Sequence, residues 1–154
     1  MPGAMHRTNG QSAMLVWLFF GFDRERFYLR LDATRRVVDL LGDGVQISLT
    51  FLRPEGLRFV VSRRLDRVTG TFLEKGPDGQ TWVNRGARGS RVAAGTVVEV
   101  ALPLDELDDT PGAALAFFVA LYDAGGHEIE RQPAHQAVQL TIPDERFEAR
   151  NWTA

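Results

Sequence analysis

Apolar and polar residues alternate with a period of two in one short segment after another, and this pattern commits the chain to β-structure. Successive side chains of a strand point to opposite faces, so alternation marks one buried and one solvated side. Phe27, Leu29 and Leu31 alternate with Tyr28, Arg30 and Asp32, and Val45, Ile47, Leu49 and Phe51 alternate with Gln46, Ser48 and Thr50. Leu57, Phe59 and Val61 read inward, as do Val68 and Phe72, while Arg67, Thr69 and Thr71 read outward. Val98, Val100 and Leu102, then Val138, Leu140 and Ile142, continue the pattern. Residues 113–122 (AALAFFVALY) are apolar throughout, which predicts a strand covered on both faces.

Turn chemistry separates these runs at short intervals: Gly42-Asp43-Gly44, Pro54-Glu55-Gly56, Gly76-Pro77-Asp78-Gly79 and Gly125-Gly126. No long helical period is present; one turn is expected around Leu104 to Leu107 and another within residues 144–149. About nine strands without βα alternation predict an all-β fold, an antiparallel β-sandwich of the jelly-roll kind. The 154 residues allow one core, large enough to bury roughly 70% of the unfolded surface without disulfides or metal. Residues 1–12 read as a flexible N-terminal arm and 13–154 as a single domain, with Trp152 pinning the C-terminal tail.

Residues 14–22 (MLVWLFFGF) have the length of a signal-peptide core, but no small-residue cleavage site follows and Asp23-Arg24-Glu25-Arg26 ends the run. It is also far short of the ~20 residues that span a bilayer. A buried strand with Trp17 in the core is the expectation, and with no anchor or leader a cytoplasmic location. The chain has no cysteine, which removes thiol chemistry but fixes no compartment. A net charge of −2 from 18 basic and 20 acidic residues offers no strong overall field for nucleic acid or membrane. Residues 84–95 (NRGARGSRVAAG) read as a surface loop whose Arg85, Arg88 and Arg91 form too small a cluster to change that.

The parts of an active site are missing from the sequence. Gly89-Ser90 is followed by Arg91, so no Gly-x-Ser-x-Gly elbow exists, and there is no phosphate loop or dinucleotide fingerprint. His6, His127 and His135 form no paired-histidine metal motif. Asp105, Glu106, Asp108 and Asp109 offer oxygen ligands for calcium without the spacing of a dedicated calcium loop. Glu99, Glu128 and Glu130 are carboxylates that a glycosidase would need paired in a cleft. The expectation is a binding domain, not an enzyme. Trp82, beyond the Gly76–Gly79 turn and just before Asn84 and Arg85, is the candidate for stacking on a sugar ring, with those two as polar contacts.

Several segments carry a family resemblance: Trp17-Leu18-Phe19-Phe20-Gly21-Phe22-Asp23 turning into Phe27-Tyr28-Leu29-Arg30-Leu31-Asp32, Val98-Glu99-Val100-Ala101-Leu102-Pro103 with Leu107, Glu130-Arg131-Gln132-Pro133, and residues 138–143 before an acidic-aromatic tail. In this order they resemble the C-terminal β-sandwich accessory domain of glycoside hydrolase family 57 proteins, grouped with DOMON-like domains and family 9 carbohydrate-binding modules. The resemblance implies a non-catalytic accessory module of an α-glucan-active glycoside hydrolase, with an α-glucan polysaccharide or oligosaccharide, and the catalytic domain itself, as partners. Two alternatives accompany it: a structural module that braces a partner domain without binding sugar, and a haem-binding DOMON-like domain using Met5, Met14, His6, His127 or His135.

Overall fold

The computed structural model describes residues 3–7, 14–108, 110 and 112–142. Among them are twelve strands and two short helices: β1 (Gly3–Arg7), β2 (Leu15–Phe22), β3 (Arg26–Ala33), α1 (Val37–Gly42), β4 (Gln46–Arg53), β5 (Leu57–Arg64), β6 (Arg67–Lys75), β7 (Trp82–Gly86), β8 (Arg91–Ala94), β9 (Val98–Pro103), α2 (Leu104–Leu107), β10 (Ala114–Tyr122), β11 (Glu128–Gln132) and β12 (Val138–Thr141). All strand pairings are antiparallel. One sheet runs β1-β2-β3-β9-β8 and the other β11-β10-β4-β5-β6-β7, with β12 beside β11 along the same edge of β10. The all-β sandwich read from the alternation is the fold observed.

The inward positions are those the alternation selected. Leu29, Leu31, Val98, Val100 and Leu102 face Ile47, Leu49, Phe51, Phe59 and Val61 across the core, and all are buried. β10 is buried from Leu115 to Leu121, as its unbroken apolar run predicts. Its Phe117 is fully buried, with ring centroids of Phe20 and Phe27 from the facing sheet at 5.8 and 5.3 Å and that of Phe51 from the neighbouring strand at 6.2 Å. The contacts to Phe20 and Phe27 are edge-on, the arrangement that sets the positive rim of one ring against the negative face of the other.

At the β6 side the sheets approach more closely. The Phe59 and Phe72 rings pack edge-on at 4.9 Å, and a Cβ on Gly70 would stand 2.2 Å from the Phe59 ring and 2.7 Å from Val92 of the opposite sheet. Gly70 therefore interrupts the β6 alternation to leave room for Phe59. At the other side, the Glu130 carboxylate on β11 accepts the N–H groups of Met14 and Leu15 at 2.8 and 2.9 Å, joining the edge of one sheet to the first residues of β2 in the other. Hydrogen bonds from neutral donors to a charged acceptor are worth about 1.5–3 kcal/mol.

Four features differ from the sequence reading. Gly3–Arg7, read as part of a loose arm, pairs with β2 in register from Gly3 opposite Gly21 to Arg7 opposite Trp17. Trp17, read as core, is half-buried, because its strand position opposite Asp32 puts it on the outer face with Phe19. Residues 84–95, read as a loop, supply the end of β7 and all of β8; both are short edge strands, and glycine and charged residues are what such edges carry. Helix α1 has no counterpart in the sequence reading, since six residues are too few for a helical period to show. It buries Val37, Leu40 and Leu41, and Arg63 donates to the Val38 carbonyl at 2.9 Å. The C-terminal turn and Trp152 lie outside the described residues.

Phe117→Ala is expected to lower unfolding free energy by about 3–5 kcal/mol in chemical denaturation, the cost of a large core truncation. Gly70→Ala is expected to destabilise by roughly 1–3 kcal/mol through overpacking, and Phe59→Leu combined with it recovers part of the loss.

Candidate functional site

The outer face of the seven-stranded sheet brings a group of aromatic and cationic side chains together. Residues opposite one another in an antiparallel pair share a face. Trp82 lies opposite Lys75, Asn84 opposite Leu73, and Leu73 in turn opposite Arg58, so all five side chains point away from the core. The Arg58 guanidinium lies 4.4 Å from the Trp82 ring centroid and 6.0 Å from that of Tyr122, and the Lys75 ammonium lies 4.6 Å from Trp82. Cations at these distances are attracted to the electron-rich ring. No carboxylate pairs with Arg58 or Lys75 among the described residues.

Beneath this cluster lies a polar floor. Ser48 and Thr50, read as outward residues, are 1% and 8% exposed although they sit on the outer face. Their hydroxyls are 3.3 Å apart, and Arg58 Nε donates to Thr50 Oγ1 at 3.0 Å, so burial leaves them hydrogen-bonded. Farther along the face, the Arg131 guanidinium covers the Phe118 ring at 4.1 Å and is held by Glu128 at 2.7 Å.

The β6–β7 turn sets the position of Trp82. Asp78 Oδ1 accepts the N–H groups of Gln80 and Thr81, each at 2.9 Å, and Oδ2 accepts the Thr81 hydroxyl. Gly79 adopts a φ of +69°, which glycine takes without strain. Lys75 Nζ donates to the Gln80 carbonyl at 3.0 Å, tying the cation beside Trp82 to the same turn. Hydrogen bonds from the Thr81 hydroxyl and then from the backbone N–H groups hold the Asp78 carboxyl down to about 2.

Of the three residues singled out in the sequence, the structure brings two together. Trp82 and Asn84 share the outer face, with Asn84 Oδ1 accepting the Gly86 N–H at 2.8 Å. Arg85 lies where the β6–β7 register shifts and pairs with Glu74, whose register partner Leu57 faces inward, at 3.0 Å. Arg58, Lys75 and Tyr122 were missed. Arg58 and Lys75 occupy outward positions of strands the alternation had identified, but alternation does not reveal that β5 and β6 bring them beside Trp82.

The other candidates are dispersed. Arg88 pairs with Glu106 at 3.2 Å, while Arg91 lies on the other sheet, so the glycine-arginine segment makes no joint cationic patch. Glu99 stands opposite Arg30, Glu128 holds Arg131 and Glu130 holds the start of β2, three separate places. Among the described residues no three His, Asp or Glu side chains converge as metal ligands; Asp108 accepts the Thr110 N–H, and Asp109 lies outside them. His127 meets Asp123 at 3.4 Å in the β10–β11 turn, His135 is exposed between β11 and β12, and Met14 packs against the core. A second surface feature is an open groove of about 610 Å³ between the ends of β4, β10 and β12, where Leu52 is 50% exposed beside Ala114, Ala116 and Leu140.

A carboxyl depressed in the fold stabilises it above the unfolded pKa and loses that contribution as pH falls through the folded value, here from about 4 toward about 2. Carbon-detected NMR titration is therefore expected to place the Asp78 midpoint near 2, with Thr81→Val raising it toward the ordinary carboxylate value. Trp82 fluorescence should stay constant from pH 7 to 4.

A scan against protein-family models, a search of curated proteins and a search of solved structures each found no match to the chain.

Proposed function

We propose that this domain is a non-catalytic carbohydrate-binding accessory module whose contact surface is the outer face of the seven-stranded sheet around Trp82. The observation that carries this reading is the half-buried Trp82 ring, held by Arg58 and Lys75 on a strand face with Tyr122 and Asn84. The uncovered part of an indole offers a flat apolar surface to the C–H face of a sugar ring, and neighbouring amide and guanidinium groups reach its hydroxyls. Pre-organisation supports it as well, because a ring already fixed by its neighbours loses little freedom on binding. Glu128 is the acid that strand register places on this face, and Arg131 holds it, which favours binding over a two-carboxylate hydrolysis.

The resemblance to accessory domains of glycoside hydrolase family 57 makes an α-glucan the first ligand to try and a glycoside hydrolase catalytic domain the natural associate. Native-gel electrophoresis with glycogen or amylose in the matrix is expected to retard the protein, and Trp82→Ala to weaken retardation about tenfold, a loss of ~1.4 kcal/mol. Equal mobility with and without polysaccharide rejects the reading.

One observation favours a second reading, a module that braces a partner domain. The groove beside β12 exposes Leu52 and Ala114 over the buried Ala116, a surface suited to an apolar segment of another domain. Under this reading Leu52→Glu abolishes co-purification with the catalytic domain and Trp82→Ala leaves it intact.

A further inference from the structure

The outer face of the seven-stranded sheet carries a charge that the whole-chain value conceals. On the β5–β6 hairpin, Arg58 and Lys75 point outward at one end, while Arg64 and Arg67 stand opposite each other at the other end. Arg131 adds a cation from β11, and Glu128 is the one acid that strand register places among these positions. The face is thus cationic in a protein of net charge −2. Arg64 and Arg67 are exposed and, like Arg58 and Lys75, make no ion pair among the described residues, although Asp66 lies in the turn between them. Like charges directly opposite on neighbouring strands are destabilising. Folding alone gives no reason to keep that pair unpartnered.

The outward residues between the two cationic ends are mainly hydroxyls. Ser62 stands opposite Thr69, and Thr71 opposite Val60. Arg58 and Arg64 are six positions apart, which is roughly 20 Å along a strand. A stripe of this length, charged at both ends and lined with hydroxyls, complements an extended anionic chain rich in hydroxyl groups.

We infer that the ligand of this face is an acidic polysaccharide, its anionic substituents held by Arg58 and Lys75 at one end of the β5–β6 hairpin and by Arg64 and Arg67 at the other. The inference rests on the carbohydrate-binding reading above and names the class of sugar chain. Unpaired guanidinium groups donate two parallel hydrogen bonds to a carboxylate, sulfate or phosphate, which a neutral glucan does not offer. Single-stranded nucleic acid is the competing polyanion, but it binds through bases stacked on open aromatic faces. Here the outward residues between the two cationic ends, Val60, Ser62, Thr69 and Thr71, include no aromatic ring for bases to stack on.

Isothermal titration with neutral dextran, carboxymethyl dextran of the same length and an oligothymidylate decides between these. The expected result is carboxymethyl dextran bound at least about tenfold tighter than neutral dextran at low salt, weakening as salt rises. Arg64→Ala with Arg67→Ala should lower that affinity roughly fivefold to tenfold, whereas Arg91→Ala on the opposite sheet should not change it. Because all three arginines are exposed, thermal unfolding should be nearly the same in every variant. Equal, salt-independent binding of neutral and carboxymethyl dextran overturns the acidic ligand while leaving carbohydrate binding in place. Binding of neither dextran overturns the inference, while the carbohydrate-binding reading stands or falls with the glycogen and amylose gel. Tighter binding of oligothymidylate, or an equal loss in Arg91→Ala, also overturns the inference.

Discussion

The edge-on packing of Phe117 against Phe20 and Phe27 is the contact on which the sandwich depends. It lies in β10, which is flanked by β4 on one side and by β11 and then β12 on the other. A strand in that position has no edge and no solvated face, so its sequence must be apolar at every step, and it is. Once β10 is fixed, the inner residues of β4 and β5 fall opposite those of β2, β3 and β9, and the two sheets close on one core. Gly70 and Glu130 then adjust the spacing at the two sides, one by omitting a side chain and the other by accepting two backbone donors.

Burying β10 on its outer side also creates the candidate site. Phe118 and Ala120 point away from the core, yet they are covered, and what covers Phe118 is the guanidinium of Arg131. The same solution recurs next to it, where Arg58 lies over Thr50 and between Trp82 and Tyr122. Arginine suits this role because its planar, weakly hydrated head lies flat on a ring while its N–H groups remain directed at acceptors. A surface covered by cations is at once a lid for the sheet and a positive field toward solvent. Structure and proposed function share the same side chains.

The binding reading and the bracing reading use different surfaces, which makes them separable. Trp82 and the cationic stripe lie on β5 to β7, whereas the groove with Leu52 lies at the ends of β4, β10 and β12. Both surfaces belong to one continuous sheet, so the two proposed readings do not compete for the same side chains.

Much of the fold was legible in the sequence. Period-two alternation in β3, β4, β5 and β9, and its absence in β10, determined which side chains face the core, because the pleat sends neighbours to opposite faces whatever the topology; that Ser48 and Thr50 are covered on the outer face of β4 was not legible. The turn residues at Gly76–Gly79 determined a hairpin before Trp82. Short elements escaped: α1 is too brief to show a period, β7 and β8 are edge strands of polar composition, and the β2 register that turns Trp17 outward is set by its partner β3. Of the site, Trp82 and Asn84 could be chosen for their chemistry and their nearness to a turn. Arg58, Lys75 and Tyr122 could not, because they come from three other strands and meet only through the order β10-β4-β5-β6-β7 and its register. Alternation is a local property of the backbone and is written in the chain; which strands lie side by side is decided by packing across the whole core, and the site exists only at that level.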